Sequence, residues 1–252
     1  MPAVISDRKQ QERADRTRKK ILRAALREFS THGLSGARTD SIARSARVNK
    51  ALLYYYFKGK QGLYAAAVEE VSAAVVRNAL AALDPAYSAG ERLLRSALNH
   101  FDRILTQREF QSLMQQEMVR FHQGDRGSLS HFFRSAFKPF VDKLQDAVTE
   151  GIRTGELCKV DPLQIMYSIF GANVFYFLSA PLMRLALPFD PFARRTLEQR
   201  RRAAVQFLGM ALFTDRAYGA KLANRVLAAM PMPAVKNDHW RLASLPARRK
   251  SL

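Results

Sequence analysis

Between Thr39 and Lys60 the sequence TDSIARSARVNKALLYYYFKGK gathers lysines, arginines, a threonine and three consecutive tyrosines. Ammonium and guanidinium groups attract phosphate; phenol hydroxyls donate to phosphate oxygens while their rings press against sugar or a thymine methyl. On a helix Tyr54, Tyr55 and Tyr56 are each turned by about 100° from the next, so at least one of them faces away from any core. The bland alternative is that all three are half-buried at a seam between domains. Covalent chemistry has no comparable constellation. There is no Gly-rich phosphate loop, no His-Glu-x-x-His and no Gly-x-Ser-x-Gly. His32, His100, His122, His131 and His239 are scattered, and Cys158 is alone, so neither an intramolecular disulfide nor a cysteine metal site is available. The expectation is a non-enzyme with no catalytic residues, no metal and no cofactor.

Helices are the elements that must position these groups. Strand-like alternation is missing over any useful length and helical spacing recurs throughout, which makes the chain all-α. A first helix sets Ile21, Leu22, Ala25, Leu26 and Phe29 on one face, with Gly33 as its stop. Thr39 is placed to cap a second, short helix with Ile42, Ala43 and Ala46 turned inward. A third begins near Asn49 or Lys50 and ends near Lys58-Gly59, anchored inward by Leu53 and Phe57. Two short helices joined by a turn and packed on a first helix make a helix-turn-helix head, expected over 15–60. Longer patterns follow at about 60–83, 90–105, 108–121, 128–154, 162–180, 192–213 and 215–230. Asp161-Pro162 is a cap followed by a first-turn proline.

Charge frames this arrangement. The chain has 252 residues and a formal net charge of +19. Up to Lys60 there are fifteen Lys and Arg against five Asp and Glu, and from Pro231 onward five against one. A basic end beside a helical head suits a phosphate-backbone binder, although solubility or a membrane surface would also account for charge alone. The leader 1–14 reads as a basic flexible arm; Arg8, Lys9, Arg13, Arg16, Arg18, Lys19 and Lys20 are either solvated or in contact with phosphate or the minor groove. The tail 231–252 reads as basic and loosely attached. The lone cysteine and the lack of a signal pattern point to the cytoplasm.

Residues 17–64, with TRKKILRAALREFSTHG, then TDSIA, then VNKALLYYYFKGKQGLY, resemble the DNA-binding domain of the tetracycline-repressor-like (TetR) family. The resemblance implies a homodimer that binds a pseudo-palindromic double-stranded operator, usually as a repressor, and is released when a ligand enters the C-terminal part. Carried onto this sequence, it makes Thr39 a phosphate contact and has Lys50, Ala51 and Leu52 open the recognition helix towards base edges. It sets Tyr54 and Tyr55 on backbone or bases, Tyr56 on phosphate, and Lys60 on phosphate at the start of the fourth helix. Two positions depart from the family pattern: Arg47 and Ala51 stand where glycine is frequent. A left-handed Arg47 would cost of order 1 kcal/mol, tolerable in a packed head.

The remainder, 61–230, reads as a larger helical dimerisation and ligand-binding domain. Residues 163–183 carry no charge over a length that could span a bilayer, yet a helix apolar all round is also what a dimer core requires, and no membrane association is expected. In the family the last two major helices of each subunit form a four-helix interface, a role that 162–180 and 192–213 fit. A small apolar or aromatic effector is expected among His100, Phe110, Met114, Glu117, Met118, Phe137, Tyr167, Asn173 and Tyr176. Such residues at helical spacing are also ordinary core. The alternative is therefore a helix-turn-helix regulator without a small-molecule ligand, constitutive or answering to a protein partner.

Overall fold

The computed structural model describes residues 2–125, 130, 132–188 and 190–234. It comprises α1 (Pro2–Gly36), α2 (Thr39–Ala46), α3 (Lys50–Phe57), α4 (Lys60–Ala81), α5 (Ala89–Thr106), α6 (Arg108–His122), a π-helical turn (Phe133–Phe137), α7 (Lys138–Arg153), α8 (Pro162–Ala186), α9 (Arg194–Ala211) and α10 (Arg216–Ala229). Among the described residues the only strand-type pairing is one isolated bridge, Leu157 with Phe213. The chain divides into two compact units, one of 1–76 with 107–138 and one of 77–106 with 139–252. This differs from the expected boundary at residue 60.

The first unit explains the difference. Its core joins Ile21, Leu22, Ala25 and Phe29 of α1 to Ile42 and Ala46 of α2, Leu53 and Phe57 of α3, Leu63, Tyr64, Ala67 and Val68 of α4, and Leu113 of α6. Three helices alone leave one side of this cluster wet; α4 and α6 close it. The Ser112 hydroxyl and the Gln116 amide both donate to the Ser30 carbonyl, at 2.7 and 2.9 Å. Tyr64 donates to Glu117 at 2.5 Å, Glu117 is paired with Arg120 at 2.6 Å, and Arg120 also grips Asp125. Beside this core, Val75, Phe110, Met114 and Phe132 form a second cluster, flanked by Val71, Val76 and Phe137.

The expectation of a flexible leader is corrected: α1 is helical from Pro2. Proline suits a first helical turn, no glycine or further proline follows until Gly33, and one-turn pairs run along the surface. They join Arg8 to Glu12 at 3.4 Å and Gln11 to Asp15 at 3.4 Å. Gly33 ends the first helical segment, as expected, and a short second segment follows across the kink to Gly36. The φ of 68° with ψ of 178° at Gly33 lies where only glycine is at ease. The break frees carbonyls near the end of the first segment for other donors, and Ser30's is the one α6 takes.

The second unit is built around α5, whose Leu93, Leu94, Ala97, Leu98, Phe101, Ile104 and Leu105 are buried. Arg201 of α9 holds Asp102 of α5 through two bonds of 2.7 Å and also donates to the Met230 carbonyl at 2.8 Å. Met232 packs against the Phe101, Phe177 and Leu197 cluster, so the segment just after α10 is attached, contrary to the loose tail expected there. The rest of that tail, 235–252, and His131 and His239 lie outside the described residues. Asp161 caps α8 as anticipated, accepting from the Gln164 amide at 3.0 Å. Pro139 sits in the first turn of α7, immediately after the π-helical turn. α8 runs on through Pro181 to Ala186, past the expected end at 180.

Candidate nucleic-acid interface

The turn between α2 and α3 is closed by the Val48 amide on the Ala43 carbonyl at 3.0 Å, with Arg47 left-handed at φ 58°. The Asn49 side chain then caps α3, accepting from the Leu52 amide at 2.7 Å. At the other end Lys58 is left-handed at φ 55°, and α4 begins so close that a Cβ on Gly62 would lie 2.0 Å from the Phe57 carbonyl oxygen. The orientation of α3 is thus fixed at both ends, and Leu53 and Phe57 pin its inner face.

Its outer face is free. Tyr55 is 78% exposed and Tyr54 46%, and neither phenol hydroxyl has a hydrogen-bond partner among the described residues. Tyr56 is half-buried, packed against the head core with its ring edge-on to Tyr55. Ala51 is exposed and Leu52 half-buried. The exposed Lys50 ammonium rests on Asp40 of α2 at 3.0 Å, an ion pair that solvent screens and a stronger anion can displace.

Two expected contacts sit differently. Thr39 is not the cap of α2: Arg38 occupies that position without a side-chain cap bond, its amide held by Glu28 at 3.0 Å, and Thr39 is buried as the first helical residue. What α2 offers a phosphate there is backbone N–H rather than the threonine hydroxyl. Lys60 donates to the Ser35 carbonyl at 2.8 Å, tying α4 to the end of α1. Sequence reasoning passed over Arg38, Arg44 and Arg47, exposed cations on or beside α2 whose only signal was their charge.

The residues proposed to hold an effector do not form one group. Phe110, Met114 and Phe137 belong to the second cluster of the first unit, Glu117 is engaged by Tyr64 and Arg120, and Met118 is exposed. In the second unit His100 and Asn173 meet at 3.4 Å, with Asn173 donating to the Ala97 carbonyl at 3.2 Å. Burial, and secondarily Arg103, hold the His100 imidazole well below its usual range and therefore neutral. Burial pulls Arg103 itself down to about 10. Tyr176 donates to the Pro191 carbonyl at 2.6 Å, and burial pushes its phenol up to about 12 against the opposing pull of Arg200. Tyr167 is 64% exposed on the outer face of α8, which excludes it from an interior pocket of this chain. Among the described residues no metal-ligating side chains converge in a group of three or more.

That outer face is apolar along its length. Pro162–Ala186 is long and apolar enough to cross a membrane, and only one stripe of it, Met166, Ile169, Asn173, Phe177 and Ala180, is buried. Tyr167, Phe175, Leu178 and Leu182 stand exposed, and Phe207 and Met210 of α9 add to them. The two helices adjoin, since Arg200 donates to the Ala172 carbonyl at 3.3 Å and both line a small cleft of about 90 Å³.

Residues 21–67 match the family described as bacterial regulatory proteins, tetR family, and residues 91–208 the tetracyclin repressor-like C-terminal domain. The chain is 30% identical over 145 residues to the HTH-type transcriptional repressor NicS of Pseudomonas putida, a match that covers 57% of this chain and 67% of the repressor. To the HTH-type transcriptional regulator RutR of Escherichia coli it is 23% identical over 218 residues, covering 81% of this chain and 96% of RutR. Among solved structures, a transcriptional regulator from Saccharomonospora viridis in complex with choline superposes with a TM-score of 0.63 at 16% identity, covering 79% of this chain and 98% of that one. AibR in complex with isovaleryl coenzyme A and operator DNA superposes at 0.58 and 22% identity, over 77% and 97%.

Proposed function

Because this chain belongs to the tetR family of bacterial regulatory proteins, and is thereby a DNA-binding transcriptional regulator, we propose that it represses transcription by gripping a pseudo-palindromic operator as a homodimer. The free outer face of α3 carries this reading, with Tyr54 and Tyr55 holding unsatisfied phenol donors towards solvent on a helix fixed at both ends. In this role Lys50, Ala51 and Leu52 approach base edges, Tyr54 and Tyr55 reach sugar and phosphate, and Tyr56 supports them from the flank. The amide of Thr39 and the exposed Arg44 and Arg47 meet the backbone. Lys60 serves the fold in this scheme, through Ser35, and reaches phosphate only by leaving it.

The second copy covers α8 and α9. A contiguous apolar face of this kind on a soluble regulator needs a partner, and a two-fold axis through it pairs like with like. Reading two half-sites on one face of a duplex requires the two α3 helices to lie roughly 34–36 Å apart, one turn of duplex, or a multiple of it. Release by a small molecule draws support from the choline and isovaleryl coenzyme A complexes of the two fold relatives, which leave its chemical class open. One observation favours a regulator without such a ligand: His100, Asn173 and Tyr176 already satisfy one another or backbone carbonyls. Thermal shift against a panel of amines, acids and acyl thioesters separates the two readings, an effector raising Tm and weakening operator binding together.

The decisive experiment selects duplexes from a random pool with the full chain and repeats the binding with Tyr55→Ala. Enrichment of an inverted repeat, with affinity lost by about 10-fold or more in the variant at unchanged Tm, is the expected result. Full retention of affinity in the variant would remove α3 from the interface.

A further inference from the structure

We propose that α1 carries a second, sequence-blind grip on DNA, in which Arg13, Arg16, Lys20 and Arg23 hold phosphates of the duplex alongside the site read by α3. This rests on the reading of the chain as a DNA-binding regulator and adds a surface to it. The four residues, with Arg27 after them, are spaced three, four, three and four apart. At about 100° per residue they fall within roughly an 80° arc, and at about 1.5 Å rise they run about 21 Å along the helix. All five are exposed. The buried side of the same helix, Ile21, Leu22, Ala25 and Phe29, is turned away from them, so the stripe is fixed in direction by the head core.

Nearby acids do not neutralise it. Glu12 pairs with Arg8, Asp15 accepts from Gln11, Glu28 holds the Arg38 amide and Glu70 faces Arg18. Arg13, Arg16, Lys20 and Arg23 take part in none of the ion pairs among the described residues. An ordinary solvated face mixes both signs, whereas like charges three and four apart repel. A stripe of one sign on a rigid helix is complementary to a polyanion of regular charge, and its continuity with the head indicates which polyanion. Arg27, the last of the series, donates to Ser45 of α2 at 3.2 Å, so the stripe runs directly into the helix-turn-helix. Arg13 and Arg16 lie one to two turns before Ile21, the first core residue, and extend the cationic surface past the head. The sequence alone left Arg13, Arg16 and Lys20 either solvated or on phosphate; the helical course of α1 aligns them with Arg23 on one face.

The test needs no knowledge of the operator, since phosphate contacts act on any sequence. The full chain and a variant with Arg13→Gln, Arg16→Gln, Lys20→Gln and Arg23→Gln are titrated onto a random-sequence duplex of about 40 base pairs, between about 50 and about 200 mM salt. Four phosphates in each subunit of the dimer correspond to a slope of log K against log salt about 7 smaller in the variant, so the unmodified chain loses about 10,000-fold more affinity over that range. A companion variant with Lys at all four positions recovers the slope, which excludes a merely structural loss; failure to recover it overturns the proposal. Equal slopes for the unmodified chain and the Gln variant also overturn it. Binding of anionic phospholipid vesicles that is lost in the Gln variant, with the DNA slope unchanged, overturns it in favour of a membrane surface. Tyr55→Ala is run in parallel: if it alone loses affinity, α3 reads DNA and the stripe does not; if the unmodified chain binds no duplex, the parent reading is what fails.

Discussion

Leu53 and Tyr55 stand two places apart on α3, one wholly buried and the other the most exposed large hydrophobic side chain of the head among the described residues. A rotation of about 200° between them separates a residue that holds the helix from one that the helix presents. This much could be read from the sequence, since three tyrosines in a row cannot share one face. Left-handed Arg47 was also legible, because a turn that favours glycine keeps its geometry when another residue fills it. Lys60 and Thr39 were not legible in the same way: their surroundings depend on where the end of α1 lies, which is a tertiary fact. His100 makes a residue-scale prediction. Its imidazole is held neutral by burial beside Arg103, Asn173 and Phe170, so its folded pKa lies below the unfolded value. The unfolded chain therefore binds the extra proton. Stability is at its plateau above about pH 6.5 and falls as pH drops below it, by up to about 1.4 kcal/mol per unit until the folded pKa is reached. Urea denaturation at fixed protein concentration from pH 7.5 to 5 is expected to reveal this slope, and His100→Gln is expected to flatten it.

At the scale of elements, periodicity located nearly every helix to within a few residues, because each buries one stripe against its own unit. What lies beyond a break was harder to anticipate. Gly33 ends the first segment of α1 as expected, while α8 runs on through Pro181 to Ala186, past the expected end at 180, and at the Gly33 break the freed Ser30 carbonyl is recovered by Ser112 and Gln116 from a helix some eighty residues away. No local rule foretells such a partner. Gly33→Ala tests the arrangement, since the new Cβ would meet the Gln116 amide oxygen at 3.3 Å and force a strained φ. The expected cost is about 1–3 kcal/mol, seen as a lower Tm and faster hydrogen exchange at the end of α1. An unchanged Tm would mean that the break relaxes freely.

At the scale of the molecule, what the sequence could not supply was the division into units. The head recruits α6 across more than forty residues, so a boundary drawn after α3 cuts through a core. The apolar run of α8 was visible, but which side of it a single chain leaves bare was not. Phe175, 68% exposed, and Phe207, 65% exposed, mark that side. Phe175→Glu with Phe207→Glu is expected to give monomers by light scattering, with helical content retained and operator affinity lost by about 100-fold or more, because one head without its twin holds half a site. A dimer that survived this change would move the two-fold axis elsewhere. In the proposed interface Arg47 connects folding to use in one side chain. It keeps a backbone geometry that glycine would adopt with less strain, so Arg47→Gly is expected to raise Tm by a few degrees, about 1 kcal/mol, while weakening the hold on the operator. On the proposed interface the head would then be sturdier and a poorer regulator, and a screen for heat tolerance alone would discard a phosphate contact.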